Sequence, residues 1–217
     1  MQGCEKFVQD NLEKFVVDMN VQRKLNYYSC DLSNIENMVI AIDNEYFLKY
    51  NHHIIEHTKT RIKSMPSLLK KVYDRNLDMD MDIISENIFD IAGIRLICPY
   101  ISDIYTLENY ILNQNDITLV ERKDYIASPK PNGYRSLHLI VKIDIQLCGK
   151  RHPINVEIQL RTITMDFWAI LEHAIKYKYE CQIDDSQINR ALLDCAQQCN
   201  KLDRKMEQIK LNQVFSE

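Results

Sequence analysis

The chain has 217 residues, of which 46% are apolar and 27% charged, and its 31 acidic and 27 basic side chains give a net charge of −4. This composition is ordinary for a globular protein, and no run of about 18 uncharged apolar residues offers a membrane span. The negative charge argues against nucleic-acid binding over the whole surface, although a local basic cluster would still be compatible with it. The first residues, MQGCEKFVQD, carry charges where a secretory signal is apolar, so we expect a cytoplasmic protein.

Cysteine and glycine usage narrows the kinds of site that the chain can build. The seven cysteines include no Cys-x-x-Cys pair, and the apolar neighbours of Cys98 and Cys148 indicate buried free thiols, so we expect no structural metal. The four glycines are too far apart for a Gly-x-Gly-x-x-Gly or a Walker phosphate loop. Any phosphate binding must therefore use side chains.

The first third of the chain is predicted to be helical because its apolar residues recur at steps of three and four. They form one narrow stripe, which consists of Leu32, Ile35, Val39, Ile42 and Tyr46. Amphipathic helices usually cover their own core, so we expect this stripe to pack against the chain's own body. A contact between subunits is the alternative.

A basic patch follows in residues 61–75, RIKSMPSLLKKVYDR. Its charges are one acid, Asp74, against five cations, namely Arg61, Lys63, Lys70, Lys71 and Arg75. If Arg61 and Lys63 end a strand, they share a face, and a helix that starts near Pro66 would offer free N–H groups to an anion. This arrangement suits a polyphosphate, whereas a solvated basic helix face is the alternative for the helical lysines.

The next candidate site is FDIAGIRLIC, residues 89–98. Asp90 stands before Gly93 and a predicted buried strand, so its carboxylate could present a hard cation, of which magnesium is the natural candidate, at a strand edge. Arg95 lies inside that strand, and a buried arginine needs an anionic partner. A simple pairing of Asp90 with Arg95 is the structural alternative.

A helix is predicted next, with Ser102 as its cap and Ile104, Leu107 and Ile111 on its buried face. Residues 117–126, ITLVERKDYI, begin like a strand. These two elements carry the chain from the Asp90 region to the next loop.

The loop SPKPNG, residues 128–133, ends in a glycine that is followed by Tyr134. A nucleobase could lie flat on this ring, although a loop tyrosine more often has a packing role. Four cationic or titratable side chains accompany the ring, namely Lys123, Lys130, Arg135 and His138. Their company favours an anionic aromatic ligand such as a nucleotide.

A strand from Leu137 onward alternates apolar and polar residues, and Cys148-Gly149-Lys150 then signals a turn. NVEIQLRT, residues 155–162, is therefore the predicted hairpin partner. By itself its polar side, with Glu157, Gln159 and Arg161, is typical of a wetted sheet face. Beside the strand that carries Tyr134 and His138, it brings a second carboxylate towards the basic patch. Two carboxylates and a basic cluster suit metal-assisted phosphoryl or pyrophosphoryl transfer.

Two further helices are predicted at the end of the chain. The first has an apolar face made of Phe167, Ile170, Leu171, Ala174 and Ile175. The second has a stripe made of Leu192, Cys195, Cys199, Leu202, Met206 and Ile209, which we expect to pack on the chain's own body, again with a contact between subunits as the alternative. The pattern as a whole predicts an α+β fold, in which a mixed β-sheet has helices packed on it and helical extensions at both ends.

Four segments, RIKSMPSLLKK, DIAGIR, NGYRSLHL and VEIQLRT followed by MDFWAILEH, resemble in this order the synthetase domain of the RelA/SpoT family. The resemblance covers about residues 55–180, between an N-terminal helical extension, 1–54, and a C-terminal helix, 181–217. The His-Asp dipeptide of the hydrolase domain that long members carry does not occur. The chain is thus similar to a small, stand-alone alarmone synthetase with a nucleotidyltransferase-like fold.

The resemblance implies transfer of pyrophosphate from ATP to the 3′-hydroxyl of GDP or GTP, which yields guanosine tetra- or pentaphosphate, (p)ppGpp, and AMP. It implies that Asp90 binds Mg²⁺ and that Glu157 binds Mg²⁺ or takes the proton of the 3′-hydroxyl. The implied ATP-binding residues are Arg61, Lys63, Ser67, Lys71 and Arg95. The implied residues for the guanine nucleotide are Lys123, Lys130, Tyr134 as the stacking ring, His138, and the supporting pair Gln159 and Arg161.

Two positions depart from the family pattern: Asp166 stands where asparagine is frequent, and Lys123 where arginine is frequent. The resemblance also implies a homotetramer formed through the helical arms. Two rival functions remain. One is pyrophosphate transfer to the 3′ end of tRNA, as in toxic relatives, against which the net charge speaks only mildly, so RNA binding is not excluded. The other is a catalytically silent nucleotide sensor.

Overall fold

The computed structural model describes residues 2–147, 150–178 and 185–214, which form helices around a five-stranded sheet. The helices are α1 (Gln2–Val17), α2 (Met19–Tyr50), α3 (Met65–Asp74), α4 (Met81–Asn87), α5 (Ile101–Leu112), α6 (Ile163–Lys178) and α7 (Asp185–Val214). The strands are β1 (His57–Ile62), β2 (Ala92–Cys98), β3 (Ile117–Asp124), β4 (Leu137–Leu147) and β5 (Lys150–Thr162). The predicted α+β class with a mixed sheet is confirmed.

The sheet has the order β1-β2-β5-β4-β3, with β2 and β5 parallel and the other neighbouring pairs antiparallel. The predicted hairpin is present as β4 and β5, whereas Cys148 and Gly149 of its turn lie outside the described residues. In the centre of the sheet Glu157 pairs with Gly93 on one side and Ile140 on the other. This register brings the DIAGIR and VEIQLRT segments side by side.

The two faces of the sheet differ in polarity because side chains alternate along each strand. On one face Ile94, Leu96, Ile158 and Leu160 are fully buried or nearly so, and they share a core with residues of α2 and α5. The opposite face carries the predicted site residues of β1, β2, β4 and β5.

Helix α2 is capped at both ends and packs on the chain's own core. The carboxylate of Asp18 accepts hydrogen bonds from the N–H groups of Asn20 and Val21, and Asn51 ends the helix in the left-handed conformation with φ of 52°. Its predicted stripe is buried from Leu32 to Ile42, so packing on the chain's own body is confirmed there. The domain limits at 54 and 180 stay a prediction.

The predicted apolar face of α6 is covered only in part, since Ile175 packs against the buried cluster around Trp168. Phe167 is 59% exposed and Ile170 51%, whereas Met165 and Trp168 are buried. The indole N–H of Trp168 donates to the Leu192 carbonyl at 2.8 Å, which fixes the side of α6 that meets α7. Periodicity indicated an apolar stripe, but it could not tell which of two stripes the neighbouring helix would cover.

The predicted C-terminal stripe packs on the chain's own body only in part, through Leu192 and Cys199. Leu192 and Ala196 are buried, but Leu202, Met206 and Ile209 are 43–51% exposed. The inner side of α7 continues instead through Asp203, whose carboxylate accepts the hydroxyls of two threonines at the β5–α6 junction. Polar contacts therefore replace apolar ones along the second half of this helix.

Two smaller predictions, the Ser102 helix cap and the burial of the cysteines, hold only in part or not at all. Helix α5 begins at Ile101 without a side-chain cap, and Ser102 instead donates its backbone N–H to the Glu207 carboxylate. The five cysteines within the described ranges are free, but Cys30 and Cys195 are exposed, so the prediction of buried thiols holds only in part. Across the same ranges no helix is both long enough and apolar enough to cross a membrane.

Candidate active site

Two lysines of the basic patch contact the Asp90 carboxylate. Lys63 and Lys71 both donate to one oxygen of Asp90, at 2.9 and 2.6 Å. Arg61 lies at the end of β1 and, as predicted, α3 then begins with Pro66 in its first turn. The patch therefore combines side-chain cations with the free N–H groups of a helix start.

Asp90 is held in its charged form. Burial opposes its ionisation, but the hydrogen bonds from Lys71 and Lys63 outweigh burial and keep the pKa of the carboxyl below its ordinary value. Two lysines on one carboxylate leave a net positive charge, so an anion can still be attracted here.

Glu157 is the second carboxylate and lies in the middle of the polar face. Its oxygens accept from His138 Nδ1 at 3.1 Å and from Gln159 Nε2 at 2.9 Å, and the Arg61 guanidinium lies 3.7 Å away. Burial raises the pKa of this carboxyl, but the contacts with His138 and Gln159 lower it by more than burial raises it. The pKa therefore lies below its ordinary value. Glu157 is therefore an ionised carboxylate inside a cleft.

The two carboxylates lie near each other, Glu157 in the lining of the cleft and Asp90 just before β2. Glu157 pairs with Gly93, three residues beyond Asp90, and the Asp90 charge acts on the Glu157 carboxyl. A side chain at Gly93 would approach Glu157 and Arg61, since a Cβ there would lie 3.4 Å from the Glu157 carbonyl oxygen. Glycine thus keeps the floor of the cleft open.

This donor set fits a magnesium ion that also binds substrate. Magnesium prefers oxygen ligands in octahedral geometry and usually keeps several waters and substrate phosphates. Asp90 and Glu157 offer ionised oxygens, and the described residues contain no group of three or more acidic, histidine or cysteine side chains that could hold a metal by themselves. The remaining ligands would have to be phosphate and water oxygens.

Arg95 does not pair with Asp90, so that alternative is wrong. Its guanidinium lies 3.0 Å from Asp166, which also accepts from Arg161 at 2.8 Å. Burial and the neighbouring Arg161 lower the pKa of Arg95, while Asp166 opposes this effect. Asp166 thus holds two arginines from different strands, and it is a site residue whose part the sequence did not reveal.

The predicted acceptor loop ends at Tyr134, whose side chain contacts residues of the loop and of two strands. Gly133 adopts a positive φ of 91°, and the Tyr134 hydroxyl lies 2.8 Å from both His138 Nε2 and Arg161 Nη2. Lys130 Nζ lies 5.1 Å from the centre of the Tyr134 ring. Lys123 pairs with Glu121 at 2.7 Å on the edge strand, opposite His138 in the register.

One cation of the cleft was missed. Lys59 lines the same cleft as Arg61, Arg95 and Glu157, because it lies two residues before Arg61 and shares its face of β1. The period of two in Lys59-Thr60-Arg61 was the signal that could have found it. The polar side of NVEIQLRT is therefore part of a cleft that also contains cations from β1 and β2.

Comparison with known proteins identifies the family. The family model described as the region found in RelA / SpoT proteins matches residues 60–182. GTP pyrophosphokinase YwaC of Bacillus subtilis is 40% identical over 201 residues, which are 93% of this chain and 94% of that protein.

Solved structures give the same result. The crystal structure of the small alarmone synthetase 2 from Bacillus subtilis matches with a TM-score of 0.80 and 40% identity, over 89% of this chain and 99% of that one. The small alarmone synthetase 1 from Bacillus subtilis, bound to its product pppGpp, also matches with a TM-score of 0.80, at 31% identity, over 90% and 98% of the two chains.

The five-stranded mixed sheet with its packed helices matches the solved small alarmone synthetases, so the fold is an α+β domain of the alarmone synthetase type. The chain belongs to the RelA/SpoT family. Its likeness to the small synthetases extends over about nine tenths of its length, which confirms the resemblance drawn from the four sequence segments.

Proposed function

We propose that the protein is a GTP pyrophosphokinase, which transfers the β,γ-pyrophosphate of ATP to the 3′-hydroxyl of GDP or GTP and releases (p)ppGpp and AMP. The names of its relatives support this activity. The observation that carries it is that Asp90, held by two lysines, lies near enough for its charge to act on Glu157, which His138 and Gln159 hold in the cleft.

ATP binds at the basic patch in this proposal. Arg61, Lys63 and Lys71 contact the phosphates, Ser67 and the first turn of α3 add hydrogen bonds, and Arg95 lies against the adenine nucleotide. Asp90 and Glu157 hold Mg²⁺, which supplies charge neutralisation at the transferred phosphates.

The acceptor binds on the other side of Glu157. Its guanine stacks on Tyr134, and Lys123 and Lys130 contact its phosphates. Both ring nitrogens of His138 are engaged within the protein, so a contact of His138 with phosphate would require one of these hydrogen bonds to break. Gln159 and Arg161 order the carboxylate.

Positioning then performs most of the catalysis. The 3′-oxygen attacks the β-phosphorus in line with the departing AMP oxygen, and its proton passes to Glu157, which is ionised before the substrate arrives. The protein needs to form no covalent intermediate once the two nucleotides are held with the reacting atoms in line.

The proposal includes a homotetramer in the cytoplasm. Apolar side chains remain exposed on α6 and α7, among them Phe167, Ile170 and Leu202. A second copy of the chain would cover such a stripe. Light scattering on the purified protein tests this state, and a monomer at micromolar concentration would contradict it.

The decisive experiment mixes the purified protein with ATP, Mg²⁺ and either GDP, GTP or tRNA, and separates the products by chromatography. We expect AMP together with guanosine tetra- or pentaphosphate, and no product without Mg²⁺. Transfer to tRNA alone would replace the proposal by its rival, and binding without any product would identify a silent sensor.

A further inference from the structure

Five side chains, one of which is the proposed catalytic carboxylate, form a closed ring of hydrogen bonds. The ring runs from Glu157 to His138 (3.1 Å), Tyr134 (2.8 Å), Arg161 (2.8 Å), Gln159 (3.1 Å) and back to Glu157 (2.9 Å). Arg161 is only 4% exposed and Gln159 9%, so these bonds are largely shielded from water. The inference drawn from this ring rests on the proposed function.

The chemistry of the groups gives a direction to every bond of the ring except the one between the Tyr134 hydroxyl and His138 Nε2, which depends on the tautomer of His138. A guanidinium only donates, so the Tyr134 oxygen accepts from Arg161 and its own proton is free to go to His138 Nε2. A carboxylate only accepts, so His138 Nδ1 must carry the proton that faces Glu157. Two arms therefore start at Arg161, and each ends on a different oxygen of Glu157.

The base of both arms is fixed from the other side. Arg161 donates its Nη1 group to Asp166 at 2.8 Å, and Asp166 lies in the first turn of α6. Arg61 and Asp90 also act on Glu157, but neither of them holds the direction of its carboxylate plane by a hydrogen bond shorter than 3.5 Å among the described residues. The orientation of Glu157 is thus set by the ring.

We propose that the Tyr134 hydroxyl is a positioning group, which holds His138 in its Nδ1–H tautomer and thereby orients Glu157 towards the acceptor's 3′-hydroxyl. The ring of the same tyrosine is the surface on which the acceptor's base stacks. The group that binds the guanine and the group that meets its 3′-oxygen are then parts of one rigid unit. Such orienting partners are a general way to fix the tautomer and direction of a histidine.

Tyr134→Phe separates the two roles because it keeps the ring and removes the hydroxyl. We expect kcat to fall about tenfold, the effect of one oriented hydrogen bond, while KM for the guanine nucleotide stays within about twofold. Tyr134→Ala should raise that KM as well. Binding of a non-reactive ATP analogue, measured by calorimetry, should be unchanged in both variants.

The matched control is Tyr105→Phe, which removes a tyrosine hydroxyl that donates to Asp124 outside the ring. Its kcat should equal that of the parent protein. A kcat of Tyr134→Phe equal to that of the control, or a rise in KM with unchanged kcat, would overturn the proposal.

A double-mutant cycle tests whether the hydroxyl acts through the histidine. His138→Asn keeps a donor near the position of Nδ1 but has no acceptor at the position of Nε2. In that background Tyr134→Phe should cost less than about twofold more in kcat. Full additivity of the two losses would show that the hydroxyl does not act through His138.

The tautomer itself can be observed in the parent protein, without turnover and without a variant that has to fold. Nitrogen NMR of protein labelled at histidine, at pH 8, should show His138 protonated at Nδ1 and not at Nε2. An Nε2–H tautomer or a doubly protonated ring would overturn the proposal. If the tautomer is as expected but ATP and guanine nucleotides give no product, then the proposed function fails and the hydrogen-bonded ring does not.

Discussion

The two faces of strand β5 show how one strand divides its residues between stability and chemistry. Val156, Ile158 and Leu160 are fully buried in the core beneath α2 and α5. Glu157 and Gln159, on the other face, are mostly buried as well, but they lie in a cleft, hydrogen-bond to side chains of β4 and β5, and Glu157 also forms an ion pair with Arg61 of β1 at 3.7 Å. Burial alone therefore does not distinguish the two faces, whereas the polarity of the contacts does.

The difference has a physical cause. An apolar side chain is stabilised wherever it leaves water, at about 25 cal/mol per Å². A polar group gains nothing from burial unless it finds a partner, so a buried polar face requires specific pairs. The apolar face can therefore vary in detail, while the polar face is restricted to one arrangement.

Among the substitutions that test the difference between the two faces, Glu157→Gln should have the largest effect, and this effect should be on the rate of synthesis. Glutamine keeps the shape but cannot accept the hydroxyl proton or neutralise a cation, so we expect synthesis to fall about a thousandfold or more. Nucleotide binding and the thermal midpoint should change little. Steady-state kinetics, calorimetry and thermal unfolding measure the three quantities. Activity near that of the parent would remove Glu157 from the chemistry.

The adjacent substitution Ile158→Ala should have the opposite signature. The Ile158 side chain is fully buried in the core, so its truncation should lower the free energy of unfolding by about 2–5 kcal/mol. Activity per folded molecule should be retained. Urea unfolding gives the stability, and a stable but inactive Ile158→Ala would break the division between the two faces.

Asp31 on α2 sharpens the comparison, because it is a polar group on the core side. It is fully buried, and within the part of the chain that the structure describes neither of its oxygens has a hydrogen-bond partner. Burial, with the Asp144 charge as a second cause, raises the pKa of its carboxyl from 3.8 to about 7. The folded state thus holds the proton more tightly than the unfolded one, so this group costs stability as the pH rises from about 4 to about 7.

Asp31→Asn should remove that pH dependence. We expect the free energy of unfolding of the parent protein to fall, on the order of 2–4 kcal/mol, between pH 4 and pH 8 relative to the variant. Urea unfolding at several pH values gives both curves. Parallel curves would mean that the Asp31 carboxyl titrates normally.

Lys59→Ala should have the smallest effect. Lys59 is an exposed cation at the edge of the cleft, so its loss should raise KM for ATP about threefold through weaker attraction of the phosphates, with no change in stability. Lys70→Ala is the control, because Lys70 lies on α3 in a groove with α1 residues. Equal effects of both changes would indicate a general charge effect.

Much of this molecule could be predicted from local patterns. The alternation in β4 and β5 and the stripe of α2 predicted their buried residues, because each pattern has one dominant apolar side. The two candidate carboxylates were found because each adjoins a strand that the apolar pattern located. The Ser102 cap failed because α5 starts one residue earlier, at Ile101, and the Ser102 N–H donates to Glu207, which lies 105 residues away.

The sequence by itself determined the strands, their polar and apolar sides and the family, since these depend on neighbouring residues and on motifs in a fixed order. Only the tertiary structure decided which stripe of α6 and of α7 is covered, that Asp166 rather than Asp90 pairs with Arg95, and that the Tyr134 hydroxyl closes a ring around Glu157. Each of these outcomes depends on which elements meet in space. Periodicity gives the direction of a side chain, but the partner in that direction is set by packing between distant segments.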